Sequence, residues 1–89
     1  MIISYSPRFE RSYKQMPTRV KVDFRERILL FGNNPRDARL KTHKLKGKLK
    51  ECLSFSLCDG YRVLFSENSG NSAYLIDIGP HDKYNKWVI

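Results

Sequence analysis

The sequence predicts an α+β domain in which one strand and a two-helix hairpin precede an antiparallel sheet of three to four strands. Two observations predict this order, β-α-α-β-β-β. Apolar residues first recur at helical spacing, and later in the chain they alternate with polar residues at strand spacing. Turn signals then separate the alternating runs, which is typical of hairpins and hence of antiparallel pairing. The 89 residues fit one domain, residues 1–89.

The N-terminal elements are predicted to be a short strand and a helix. The opening stretch IISYS is short and apolar, as strands are. Pro7 suits the first turn of a helix, and Ser6 before it suits the N-cap. Phe9, Tyr13 and Met16 follow at i, i+4 and i+7, so we expect them on one buried face.

A second helix is predicted between Pro17 and the turn sequence GNNP. Thr18 can cap its start, because Pro17 ends the first helical pattern. Asp23 and Arg27 lie away from its apolar stripe and form an i,i+4 ion pair. The stripe itself consists of Val20, Phe24, Ile28 and Phe31.

Three alternating runs are predicted to form the sheet. We expect their larger apolar side chains to face the helices: Leu53, Phe55, Leu57, Tyr61, Val63, Phe65, Tyr74, Ile76 and Ile78. Asp59 and Gly60 mark the first hairpin turn, and SENSGNS marks the second. The face away from the helices then carries Ser54, Ser56, Arg62 and Asp77.

The lysine-rich stretch KTHKLKGKLK, residues 41–50, also alternates. Its leucines, Leu45 and Leu49, are predicted to point toward the core, and its even-numbered lysines point the other way. In strict alternation His43 shares the face of Leu45. It would therefore join Arg62 only if the strand begins after it or if Gly47 marks a bulge.

Composition limits the classes of function. The chain has 17 Lys and Arg against nine Asp and Glu, a formal charge of +8, which favours anionic partners such as nucleic acid or acidic protein segments. We expect a cytoplasmic protein without a signal peptide or a membrane span. No tight ligand spacing joins His43, Cys52, Cys58 and His81, so we expect no metal site and no cofactor.

Three motifs, LKGKL, YRVLF and IGPHDKY, occur in this order along the chain. Together with the length and the element order, they resemble the RelE/ParE superfamily of type II toxin–antitoxin toxins. The resemblance covers nearly the whole chain and is strongest to the mRNA-cleaving branch, which includes RelE, YoeB-like and YafQ-like toxins. It implies a RelE-like fold.

The resemblance also implies an activity, a ribosome-dependent endoribonuclease that uses no metal. In that reaction the mRNA 2′-OH attacks the adjacent phosphate and leaves a 2′,3′-cyclic phosphate and a 5′-OH. The residue types present can supply the base, the acid and the cations that this chemistry needs. By resemblance, the catalytic set comprises Arg62 as phosphate clamp, Lys46 as added charge, His81 as general acid, Tyr84 stacking a base or orienting the phosphate, and His43 as general base.

The remaining lysines of the run, Lys41, Lys44, Lys48 and Lys50, are expected to bind nucleic acid or an acidic partner. The resemblance implies a cognate antitoxin that wraps the helices and covers the basic face. The other implied partners are the ribosome with its mRNA, and operator DNA only through the toxin–antitoxin complex. No membrane partner is expected.

Alternatives stay open at this point. The same fold serves ParE-like inhibitors of DNA gyrase, and a non-catalytic basic binding module is a third reading. Arg62 can instead pair with Asp77, His81 can be a turn residue, Tyr84 can belong to the core and His43 can be an exposed loop residue. No carboxylate precedes LKG, so the reaction either needs a base other than Glu or depends mostly on geometry and charge.

Overall fold

The structure, a computed structural model, describes residues 1–45, 51–68 and 71–82. Two helices, α1 (Pro7–Lys14) and α2 (Thr18–Asn33), follow the first strand along the chain. The strands are β1 (Ile2–Tyr5), β2 (His43–Lys44), β3 (Leu53–Ser56), β4 (Arg62–Asn68) and β5 (Ser72–Gly79). They form one sheet in the order β1-β5-β4-β3-β2, in which β1 runs parallel to β5 and all other pairs are antiparallel. The predicted α+β class and element order are confirmed.

The two helices begin differently. Ser6 caps α1 as predicted, since its Oγ accepts the Phe9 N–H at 2.8 Å. The same hydroxyl donates to the Ile76 carbonyl at 2.7 Å and so ties the helix start to β5. The prediction that Thr18 caps α2 is wrong. Pro17 occupies the cap position in an extended conformation that suits its fixed φ, and Thr18 is already helical.

The main core lies between the helices and one face of the sheet. Both predicted helical stripes contribute to it, and Phe31 contacts the rings of Phe55 and Phe65 at centroid distances of 4.9 and 4.8 Å. The largest fully buried apolar side chains are Phe31, Phe55, Phe65, Leu40, Leu75, Ile78, Val20 and Val63.

The predicted face of β5 is wrong for two residues. Tyr74 is 36% exposed, and Ile76 packs against Leu64 outside the main core. The cause is a shift of register beside Leu64, which pairs with Asp77 although the next residue of β4 pairs with Leu75. Ile76 is therefore an extra residue in the strand, and the alternation changes face at that point.

The predicted direction of Leu45 is also wrong. Leu45 is buried, but it packs with Leu64, Cys52 and Ile76 in a second small cluster. Leu64 alternates with residues of the main core, so this cluster lies on the sheet face away from the helices. The sheet thus has apolar residues on both faces. The predicted partner of Leu45, Leu49, lies outside the described residues.

None of the helices within the described ranges is long and apolar enough to cross a bilayer.

Candidate active site

A tight turn places Arg62 at the end of the sheet. Residues Cys58–Gly60 form one helical turn, and the Leu57 N–H donates across it to the Tyr61 carbonyl at 2.7 Å. Asp59 and Gly60 have φ of 56° and 77°, the left-handed region that Asp and Gly tolerate best. The predicted Asp59–Gly60 turn is therefore present. Arg62 follows as the first residue of β4.

His43 reaches Arg62 across the intervening strand β3. The imidazole Nε2 lies 3.3 Å from Arg62 Nη1, although β2 and β4 are two strand spacings, about 10 Å, apart. Ser54 pairs with His43, and Ser56 pairs with Arg62. Because these β3 residues are small, the arginine side chain can extend over them.

The structure does not keep His43 away from Arg62. We expected its shared face with Leu45 to turn it away from Arg62. However, Leu45 packs on the sheet face away from the helices, and this is the face that carries Arg62. His43 therefore needs no bulge and no later strand start to join it.

The hydrogen bonds of His43 define its neutral tautomer. Nδ1 lies 3.1 Å from the Lys41 carbonyl oxygen, which can only accept, so Nδ1 carries the proton. Arg62 Nη1 can only donate, so Nε2 presents its lone pair to the guanidinium. This arrangement places a proton acceptor in direct contact with a guanidinium, a group whose fork geometry is able to bind phosphate oxygens.

His81 lies at the same end of the sheet. β5 ends at Gly79, the partner of Arg62 in the sheet, and His81 follows two residues later. A Cβ built on Gly60 would lie 4.0 Å from the His81 Cβ, so His81 stands beside the turn that leads into β4. His43 and Arg62 are thus in contact, and His81 lies beside the turn that leads to Arg62.

The carboxylate considered as an alternative partner for Arg62 is Asp77. Asp77 is fully buried, and its Oδ2 forms an ion pair with Arg8 Nε at 3.1 Å. Its Oδ1 accepts the N–H of Ile78 at 2.8 Å. The Arg8–Asp77 pair was missed by the sequence reasoning, because 69 residues separate the partners and no local pattern relates them.

Ser54 lies between its two sheet partners, His43 and Leu64, and is completely buried. Within the described ranges its Oγ has no hydrogen-bond partner. A buried hydroxyl without a partner costs free energy, which gives this position a testable signature.

Of the basic residues proposed from sequence, Lys41 and Lys44 are both exposed. The predicted direction of Lys44 is wrong, because it pairs with Leu53 of the main core and so lies on the sheet face opposite to His43. Lys41 has φ 52° and forms the left-handed cap of the short turn Ala38–Leu40. Four further proposed site residues lie outside the described residues: Lys46, Lys48, Lys50 and Tyr84. Across the described part of the chain, no group of three or more His, Cys, Asp or Glu side chains could hold a metal ion.

A separate apolar pocket of about 360 Å³ opens between β1 and the helices. Three of its rings, Tyr5, Phe9 and Tyr13, pack together at centroid distances of 5.4 and 5.9 Å. Burial, with a smaller contribution from Tyr13, raises the pKa of Tyr5 above its usual value of 10.0. Glu10, Lys14 and Phe24 complete the lining.

Comparison with known proteins places the fold. The sequence matches no family model, and no curated protein matches it. YafQ from E. coli strain BL21(DE3) superposes with a TM-score of 0.77 at 19% identity, over 92% of this chain and 94% of YafQ. A YoeB/ParE toxin from Agrobacterium tumefaciens gives 0.75 at 18% identity, over 91% and 99%.

A chain of the RelB–RelE antitoxin–toxin complex from Methanococcus jannaschii gives a TM-score of 0.76 at 14% identity, over 97% of this chain and 99% of that one. The similarity thus extends over nearly the whole of each protein. The RelE-like fold expected from the three sequence motifs is confirmed. This chain has the fold of the RelE/ParE toxin superfamily, in common with YafQ, YoeB/ParE and RelE toxins.

Proposed function

We propose that this chain is the toxin of a type II toxin–antitoxin system and that it cleaves mRNA on the ribosome. The observation that carries the proposal is the contact of His43 Nε2 with Arg62 Nη1 at 3.3 Å, at the end of the sheet where His81 also lies. A proton acceptor, a phosphate-binding cation and a second imidazole are the groups that transesterification of RNA needs.

In the proposed reaction, the guanidinium of Arg62 turns to the scissile phosphate and binds two of its oxygens. His43 Nε2 is then free to accept the proton of the 2′-OH. The 2′-oxygen forms its bond to phosphorus as the bond to the 5′-oxygen breaks, and His81 donates a proton to that leaving oxygen. The products are a 2′,3′-cyclic phosphate and a 5′-OH end.

We assign binding to the ribosome to the positive charge of the chain. A net charge of +8 favours binding to ribosomal RNA, and the affinity should fall as the salt concentration rises. Lys41 is exposed two residues before His43, which suits contact with phosphates next to the cleavage site, whereas Lys44 lies on the opposite face of the sheet and is assigned to more distant contacts. Lys46, Lys48, Lys50 and Tyr84 keep the roles that the resemblance implies.

The proposed partner is an acidic, partly disordered antitoxin that wraps the helices and covers the basic face. The apolar pocket supports this, since Tyr5 is 41% exposed at its mouth. Leu29 on α2 is 70% exposed and offers a second apolar contact. In the complex with its antitoxin, the toxin would reach operator DNA only through the partner.

The test begins with induction of the chain alone in cells, with protein synthesis and DNA supercoiling measured separately. Translation should fall first. A change of supercoiling before any loss of translation would favour a gyrase inhibitor, and no effect on either would favour a non-catalytic module.

Variants then test the assigned residues. Arg62→Ala should lower the rate of mRNA cleavage by about 10²–10³-fold. His43→Ala and His81→Ala should each lower it by about 10²–10⁴-fold. Arg36→Ala is the matched control, because it removes an exposed arginine whose ion pair with Glu67 lies away from the site. Full cleavage by folded Arg62→Ala protein contradicts the assignment of that residue.

A further inference from the structure

One carboxylate oxygen on α2 binds two different parts of the chain. Asp23 Oδ2 accepts the backbone N–H of Cys58 at 2.8 Å and also pairs with Arg27 Nε at 2.9 Å. The i,i+4 pair was predicted from the sequence. Its contact with Cys58, 35 residues away, has no counterpart in any local pattern.

Arg27, the other member of the ion pair, also forms a long-range hydrogen bond. Arg27 Nη1 donates to the backbone carbonyl of Arg39 at 2.7 Å. The planar guanidinium can serve two acceptors at once, which a lysine ammonium on a flexible stem does less well. One ion pair on α2 therefore holds two separate turns, one through Cys58 and the other through Arg39.

Each of these turns leads directly into a proposed site residue. Cys58 lies four residues before Arg62, and Arg39 lies four residues before His43. Both connections contain a residue other than glycine in the left-handed region, Asp59 in one and Lys41 in the other. Such conformations cost free energy and persist where the surrounding structure holds them.

The pair is well placed to hold both turns. The side chains of Asp23 and Arg27 are 18% and 28% exposed, so water screens them less than the exposed pairs of this protein. Arg19, one helical turn before Asp23, adds a contact to Asp59 on the first of the two turns.

We propose that Asp23 and Arg27 are positioning residues, which hold the Cys58 and Arg39 turns so that His43 and Arg62 meet. The effect of this positioning on cleavage rests on the proposed function, whereas its effect on the His43–Arg62 contact does not. The two are therefore measured separately.

The variants are Asp23→Ala, Asp23→Asn and Arg27→Gln. Asparagine keeps a side-chain oxygen that can accept from Cys58, whereas alanine keeps none. Glu67→Ala is the matched control, because it removes the carboxylate of the exposed Arg36–Glu67 pair on β4 and touches neither turn.

The first readout needs no RNA. It is the ¹H–¹⁵N spectrum of the His43 imidazole and the Arg62 guanidinium in the purified chain, with the cross-relaxation between them. Asp23→Ala should shift both groups and remove the cross-peak, Asp23→Asn should retain it, and Arg27→Gln should disturb His43 more than Arg62. Folded Asp23→Ala protein with both spectra unchanged overturns the proposal. If that variant does not fold, unchanged spectra in Arg27→Gln overturn it.

The second readout is cleavage of ribosome-bound mRNA. Asp23→Ala should lower the rate at saturating toxin by about 10–100-fold, because a small displacement of reacting groups has effects of that size. The toxin concentration for half-maximal rate should change by less than about threefold. A changed half-maximal concentration with an unchanged rate indicates a docking role and overturns the proposal. If wild-type protein cleaves nothing, the proposed function fails and the spectra still decide this inference.

Discussion

Replacing Ser6 by alanine removes two hydrogen bonds at one buried hydroxyl. Ser6 Oγ accepts the Phe9 N–H at the start of α1 and donates to the Ile76 carbonyl on β5. Loss of an N-cap costs about 1 kcal/mol. The partly buried Ile76 carbonyl left without this donor costs about 1 kcal/mol more. We therefore expect Ser6→Ala to lower the free energy of unfolding by about 2 kcal/mol.

Ser54 provides the matched control, since it is also a buried serine on the same sheet. Its Oγ has no partner within the described ranges, so Ser54→Ala removes an unsatisfied group. We expect that variant to be neutral, or more stable by up to about 1 kcal/mol.

Urea unfolding followed by circular dichroism measures both changes, with thermal unfolding as a second assay. The melting temperature of Ser6→Ala should fall by roughly 8–16 °C, the shift expected for 2 kcal/mol in a domain of this size. If Ser54→Ala loses as much stability as Ser6→Ala, the hydrogen bonds do not explain the difference and the reasoning is refuted.

Three further predictions concern the core, the pH dependence and the thiols. Phe31→Ala should lower the free energy of unfolding by about 3–5 kcal/mol in urea unfolding, because the ring is fully buried against two other phenylalanines; a loss below about 1 kcal/mol would contradict this packing. Hydrogen bonds from Arg39 lower the pKa of Asp37 from 3.8 to about 2. The pair should therefore stabilise the fold fully above about pH 4 and lose its effect as the pH falls toward 2, and an unfolding series across this range should be flatter in Asp37→Asn. Burial raises the pKa of Cys52 and Cys58, so iodoacetamide should alkylate both slowly at pH 7, and rapid labelling of folded protein would contradict it.

The sequence was sufficient to predict the helices and the hairpin order, because these depend on local patterns. Ser6 capped α1 because a serine before a proline at the first helical turn is a local signal. Thr18 failed as a cap because a neighbouring proline can take the same position, and the residue types do not decide between the two.

A single alternating pattern could not describe β5, because the strand changes face at Ile76. The register shift is a property of two paired strands, so the sequence of β5 alone does not reveal the extra residue Ile76. The same limit affected Leu45. Alternation correctly placed Leu45 and His43 on one face, but it could not say which side of the sheet that face was, because both sides carry apolar residues.

The candidate site, too, was predictable from the sequence only in part. Arg62, His43 and His81 were chosen from residue chemistry and from the resemblance, and the structure brings His43 and Arg62 into contact. The supporting contacts were not predictable. Asp23 and Arg27 form a pair that sequence spacing predicts, but their bonds to Cys58 and Arg39 depend on how α2 packs against distant turns.

We propose that Arg62 and His43 support attack by the 2′-OH of ribosome-bound mRNA. The most direct measurement uses two mRNAs that differ only by a 2′-deoxy substitution at the cleavage position. The purified chain should cut the unmodified mRNA, leave a 2′,3′-cyclic phosphate at the new end, and leave the substituted mRNA intact. Equal cleavage of both mRNAs, or no cleavage of either by folded protein, would contradict the account.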